Sequence, residues 1–302
     1  MTVLSGRKQG QLRGLSDRTS SIILVVLSLI ILLIVAYPLY YVLVASFSDP
    51  YDVYAGKTFF LPSQATLDGY KRILEYKSFF TGYRNTLMYT GFGTFVNMVL
   101  TVPAAYALSR KDLVGRNFFM MMITFTMIFS AGLMPTFLQV RDLNLIDTIW
   151  AMVLPGAVST WNLIVARTFF QQTIPDDLLE AAQLDGATNA QFFTQIVLPL
   201  SKSIIAVLIL FYAVGHWNSY SNALYYIRTA EKYPLQLVLR SILFENSMGD
   251  MVEDASNLAA QQRLGDLIKY GIIIASSLPL LILYPFLQRY FIQGVMIGAV
   301  KG

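Results

Sequence analysis

"TSSIILVVLSLIILLIVAYPLYYVLVASFS", Thr19 to Ser48, decides the class of fold. It runs for 30 residues without Asp, Glu, Lys or Arg, and roughly 20 apolar helical residues already cross the hydrocarbon core of a bilayer. The run is also far longer than the apolar core of a cleaved signal peptide, so it reads as a retained first helix. Further uncharged stretches lie near 85–109, 117–140, 148–166, 203–227 and 270–288. A membrane barrel would instead show short alternating strands, and a lipid-exposed backbone must satisfy its own polar groups. The expected fold is therefore all-α: a polytopic membrane protein with six transmembrane helices in a single domain over residues 1–302.

Composition agrees. The 302 residues are 55% hydrophobic and 13% charged, against about 25% charged in soluble domains. The net charge of +4 is dispersed, with no basic block that would bind nucleic acid. With no cysteine, disulfides, thiolate catalysis and zinc–thiolate sites are excluded. His216 is the single histidine, which excludes a metal site needing two imidazoles. "GKT" at 56–58 resembles the end of a phosphate-binding loop, but Tyr51 stands where the first glycine belongs. The spans carry no carboxylate, so an ion-coupled carrier has few candidate residues. Neither a catalytic residue nor a metal ligand is expected, and energy for uphill transport would have to come from another subunit.

Short loops orient the chain. Arg7, Lys8, Arg13 and Arg18 precede the first span, and Arg110, Lys111 and Arg116 fill the 110–116 loop, whereas the opposite loop 141–147 has only Arg141. Both termini and the 167–202 loop are therefore placed in the cytoplasm, although the total of Lys and Arg is 11 on either side. Two longer outer loops, 49–84 and 228–269, remain. In the first, "TLDGYKRILEYKSFFTGYRN" suits a short interfacial helix.

Between the fourth and fifth spans lies "TIPDDLLEAAQLDGATNAQFFTQIVLP", Thr173 to Pro199. Pro175, Asp176 and Asp177 suit the first turn of a helix, and Gly186 is able to take the positive φ that ends one. Thr188 and Gln191 have capping-box spacing. Phe192, Phe193, Ile196, Val197 and Leu200 then share one face of a second helix, which Pro199 ends or bends. A helix–turn–helix over 171–202 is the shape of a docking element.

Glu180-Ala181-Ala182, three residues, Gly186, nine residues, then Ile196-Val197-Leu198-Pro199 resembles the EAA loop of ABC importer permeases without departure. "FSDP" (47–50), "TLDGYKRILE" (66–75), "YRNTL" (83–87), "GLMPTFLQV" (132–140), "LNLIDTIWAMVLP" (143–155) and the tail "YFIQGVMIGAVKG" (290–302) are similar to the carbohydrate branch, in particular the maltose permease's smaller subunit. The tail looks most like permeases for oligosaccharides of complex polysaccharides. This resemblance implies a permease in a bacterial inner membrane, paired with a second related permease, two ATP-binding subunits, an extracytoplasmic solute-binding protein, membrane lipid and an oligosaccharide cargo. ATP and Mg would reside in the partner ATPase, with no cofactor in this chain. It further implies that Glu180, Ala181, Ala182, Asp185, Gly186, Ile196, Leu198 and Pro199 form the ATPase-coupling loop, with Ala181 and Ala182 permitting close approach.

The cargo pathway is less defined. "HWNSYSNALYY", His216 to Tyr226, is the most polar part of any span. Trp217, Asn218, Tyr220 and Asn222, with Trp161 and Asn162 in the fourth span, could offer aromatic faces and amides to a sugar. The same residues suit interhelical hydrogen bonds. Two rival readings stand beside the oligosaccharide permease: an ABC permease for amino acids or peptides, and a membrane scaffold recruiting a cytoplasmic partner.

Overall fold

A computed structural model of the chain describes residues 6–62, 64–248 and 268–285. The 249–267 part of the second outer loop, the tail signature 290–302 and the end of the sixth expected span lie outside the described residues. Among those described, no strand forms, and one isolated antiparallel bridge joins Ser48 to Ala65. The helices are α1 Gly6–Ser46, α2 Pro50–Tyr54, α3 Asp68–Glu75, α4 Lys77–Ser109, α5 Arg116–Ile128, α6 Leu133–Asp142 and α7 Ile149–Gly156. They continue as α8 Thr160–Thr173, α9 Asp176–Leu184, α10 Asn189–Leu200, α11 Lys202–Trp217, α12 Ser221–Tyr226, α13 Leu235–Met248 and α14 Ile268–Pro285.

Two compact units emerge. In the first, made of described residues up to Ile73 and 268–275, α1 exposes its apolar side chains from Ile22 to Val35, as suits a helix solvated by lipid. Aromatics near its C-terminal end gather the segment that follows: Phe47 meets Tyr70 at 5.2 Å between ring centroids, and the Tyr70 hydroxyl donates to Ser46 Oγ at 2.9 Å. The second unit holds α4 to α13 and residues 276–285 of α14. Its core packs α4 against α8 and α11, through Val102, Ala105, Leu163, Ala166, Phe170 and Leu208.

Among the described residues, three helices are long and apolar enough to cross a membrane alone: Thr19–Ser46, Lys77–Ser109 and Ile268–Pro285. The remaining spans differ from the straight helices expected at 117–140, 148–166 and 203–227. The third is broken, α5 and α6 meeting at 115°, because the chain is extended at Phe129 and Gly132 takes φ +81°. In the fourth, α7 and α8 meet at 55°. Pro155 lies in the last turn of α7, and Ser159 starts a new helix by accepting from the Asn162 amide. The fifth ends at Trp217, ten residues before the expected 227. There Asn218 turns its side-chain amide back onto the Val214 carbonyl, a local hydrogen bond that competes with helix propagation. The second span starts earlier than expected, at Lys77 rather than 85.

Candidate functional site

The segment between α8 and α11 folds as two short helices joined by one tight turn. Asp176 and Asp177 occupy the first turn of α9, where the helix dipole favours negative charge. Lys111 donates to Asp176 Oδ2 at 2.7 Å and holds that carboxyl below the usual carboxylate range. Gly186 takes φ +77°. Its amide donates to the Gln183 carbonyl at 3.0 Å, and the Ala187 amide to Ala182 at 2.9 Å. These are the paired bonds of a Schellman stop, and the left-handed residue they need is the glycine. The expected capping box then starts α10: Gln191 N donates to Thr188 Oγ1, and Thr188 N to Gln191 Oε1 at 2.8 Å.

One face of this element is anchored. Leu179, Ala182, Phe192 and Val197 are buried in the core with Phe170 and Leu208, and Phe193 packs against Tyr106 at 5.1 Å between ring centroids. Ile196 and Leu198 also pack against that core. Leu200 does not, being exposed. Residues Phe193–Val197 form a π turn, which adds one residue to the repeat, so after Val197 the buried position is Ser201. The wide turn lies where Pro199 would otherwise clash with the carbonyl of Gln195, four residues back. Ala182, read as an aid to partner approach, is 6% exposed and serves close packing within this chain instead.

The opposite face is open. Glu180, Ala181, Asp185, Gly186 and Pro199 are exposed, and Leu184 is 90% exposed. Leu184 escaped the sequence reading, since an apolar residue at a helix end normally reads as core.

A second constellation lies about 18 Å along α4 from its Ser109 end, at 1.5 Å per residue. Asn97, fully buried, donates through Nδ2 to the carbonyls of Gly156 at 3.1 Å and Ala157 at 2.7 Å, beside the α7–α8 break. With Nδ2 so committed, Oδ1 is the atom facing His216 Nε2 at 2.7 Å, so the imidazole must donate there. The Tyr212 hydroxyl joins Thr101 Oγ1 at 2.7 Å and accepts from the Ser159 amide at 3.0 Å. Asn97 and Tyr212 thus tie the broken fourth span to α4 and α11. Gly93 makes room: a Cβ there would stand 2.5 Å from the His216 ring. An open recess of about 380 Å³ borders this network, and Ser159, Asn162, Tyr212, His216, Ser219 and Asn222 supply its polar lining.

Of the six expected pathway residues, Asn162 and Asn222 line the recess. Trp217 is buried elsewhere, its indole donating to the Ser276 carbonyl at 3.1 Å and its ring against Tyr83 at 5.6 Å. Tyr220 lies under the Arg240 guanidinium at 5.2 Å, while Asn218 and Trp161 are exposed. The sequence reading missed Asn97, Thr101 and Tyr212. The signal for Asn97 and Thr101 was a polar stripe at helical spacing, Thr86, Thr90, Thr94, Asn97 and Thr101, within an apolar span.

In the loop between α6 and α7, Asp147 takes φ +63° and gathers the segment after α12. Its Oδ1 accepts from the amides of Arg228 and Thr229 at 3.0 Å each, and its Oδ2 from Thr229 Oγ1 at 2.6 Å and Lys232 Nζ at 2.7 Å. The Lys232 hydrogen bond, then that of Thr229, drives its carboxyl well below the ordinary carboxylate range.

Comparison with known proteins gives the same reading as the EAA loop. Residues 78–297 match the family model described as "Binding-protein-dependent transport system inner membrane component". The chain is 40% identical over 272 residues to the polygalacturonan/rhamnogalacturonan transport system permease protein YtcP of Bacillus subtilis (strain 168), covering 89% of this chain and 94% of that one. It is 39% identical over 265 residues to Protein LplC of the same organism, covering 88% and 89%. Among solved structures, a chain of a bacterial ABC transporter involved in the import of the acidic polysaccharide alginate superposes with a TM-score of 0.81 at 35% identity, covering 91% of this chain and 98% of that one. With most of its length matched in sequence and in fold, the chain belongs to the family of inner membrane components of binding-protein-dependent transport systems.

Proposed function

We propose that this chain is the permease subunit of an ABC importer for oligosaccharides and that its α9–α10 element receives the work of ATP hydrolysis from a separate ATPase. The observation that carries this is the two-sided element itself. One face is locked into the core of α4, α8 and α11, while Glu180, Ala181, Leu184 and Asp185 project from the other. Force applied to the exposed face is thereby delivered to the helices that hold the α7–α8 break. Alternating access follows as a population shift between inward and outward states, biased by ATPase closure. The chain supplies no catalytic group, and ATP with Mg belongs to the partner.

The partners in this reading are a second related permease, two ATP-binding subunits and an extracytoplasmic solute-binding protein. Both termini and the α9–α10 element face the cytoplasm, as the loop charges indicate. Coupling-loop roles fall to Glu180, Ala181, Asp185, Gly186 and Pro199, which are exposed, with Ala182, Ile196 and Leu198 seating the element. The saccharide cargo is supported by YtcP, a permease of a polygalacturonan/rhamnogalacturonan transport system, and by the alginate importer. The test is uptake by the reconstituted complex with its binding protein, across labelled saccharides, amino acids and peptides. ATP-dependent uptake confined to saccharides is expected; uptake of amino acids or peptides alone would contradict the assignment.

A further inference from the structure

The recess beside the α7–α8 break carries no charge, although relatives of this chain serve acidic polysaccharides. None of the described residues lining it is Asp, Glu, Lys or Arg. Its polar lining consists of amides, hydroxyls and one imidazole, flanked by the apolar side chains of Met152 and Phe211. Because Asn97 spends both amide hydrogens on the Gly156 and Ala157 carbonyls, its oxygen can only accept, and His216 must present Nε2–H to it. That leaves Nδ1 as the acceptor of the ring.

Resting on the reading of the chain as a saccharide permease, we infer that this recess is an uncharged hydroxyl-binding subsite on the cargo path. His216 Nδ1 accepts from a sugar hydroxyl, and Asn162 and Asn222 offer amides that both donate and accept. The C–H face of the pyranose ring lies against Phe211, which is exposed. A carboxylate brought into the same recess would lose water without gaining a counter-charge, which is costly. The subsite therefore reads hydroxyls and leaves any carboxylate of the cargo to be met outside it. Asn97 is a positioning residue, acting through the tautomer and orientation of His216.

The experiment uses the full importer in proteoliposomes, with two probes: a galacturonate trisaccharide and its methyl ester, in which the carboxylates are neutral. Asn162→Ala combined with Asn222→Ala should lower uptake of both probes by about tenfold, the effect of losing one or two net hydrogen bonds, with their ratio unchanged. Unimpaired uptake would overturn the subsite, and a tenfold change in the ratio would show that it meets the carboxylate after all. As His216 is the single histidine of the chain, ¹⁵N-histidine labelling of this subunit reports one imidazole. The Nε2–H form is expected in the wild type, with that preference lost in Asn97→Ala and the Nδ1 resonance moved by the methyl ester. An Nδ1–H form would overturn the acceptor role. If wild-type vesicles import no saccharide at all, the importer reading fails, and the imidazole spectrum decides the acceptor separately.

Discussion

Asp147 and Gly93 show how single positions hold a loop and a helix contact of the second unit in place. Asp147 joins the loop after α6 to the segment after α12 through charge-assisted bonds to Thr229 and Lys232. Its folded pKa is depressed, so its contribution is fully present above the ordinary carboxylate value near 4 and is lost as pH falls through the depressed value. Asp147→Asn should lower stability at neutral pH by on the order of 1 kcal/mol, the partly exposed pair being screened by solvent. The difference from wild type should shrink on acidification, which thermal unfolding in detergent at neutral and acid pH would measure. Gly93 is constrained by space. In Gly93→Ala the new methyl meets the His216 ring, so a loss of about 1–3 kcal/mol is expected. Pairing it with His216→Ala should recover part of that loss in a double-mutant cycle; strictly additive losses would remove the steric explanation.

Among the elements, α9 and α10 were the most legible in the sequence, because their ends are set by local chemistry. Gly186, Thr188 and Gln191 specify a stop and a start through their own backbone and side-chain bonds. Thr188→Ala should cost about 1 kcal/mol of local stability. Faster amide hydrogen exchange at Asn189–Gln191, with α9 unaffected, is the expected signature; unchanged exchange would mean the box contributes nothing. Where tertiary context decides, the sequence was less informative. Uncharged runs mark lipid exposure but not straightness, so the breaks at Gly132 and after Pro155 were read as continuous spans. The α7–α8 break persists because Asn97, from another helix, satisfies the Gly156 and Ala157 carbonyls, a contact no local pattern reveals. The π turn at Phe193–Val197 likewise moved Leu200 off the buried face. Trp217 and Asn162 looked equivalent as aromatic and amide candidates. Only the packing separates them, Trp217 against Tyr83 and Asn162 beside the recess.

In the proposed importer, these parts form one path for force. The exposed face of α9 lies at one end, the α4–α8–α11 core in the middle, and the polar recess beside the α7–α8 break at the other. We propose that this path couples ATP hydrolysis in a partner to movement of cargo. Glu180→Ala removes a projecting carboxylate. Gly186→Pro removes both the amide that bonds Gln183 and the positive φ the turn requires. The direct test is ATP-driven uptake by the reconstituted importer carrying both substitutions, with co-purification of all subunits as the control for assembly. Uptake reduced to background in an assembled complex is the predicted result, and uptake at the wild-type rate would contradict it.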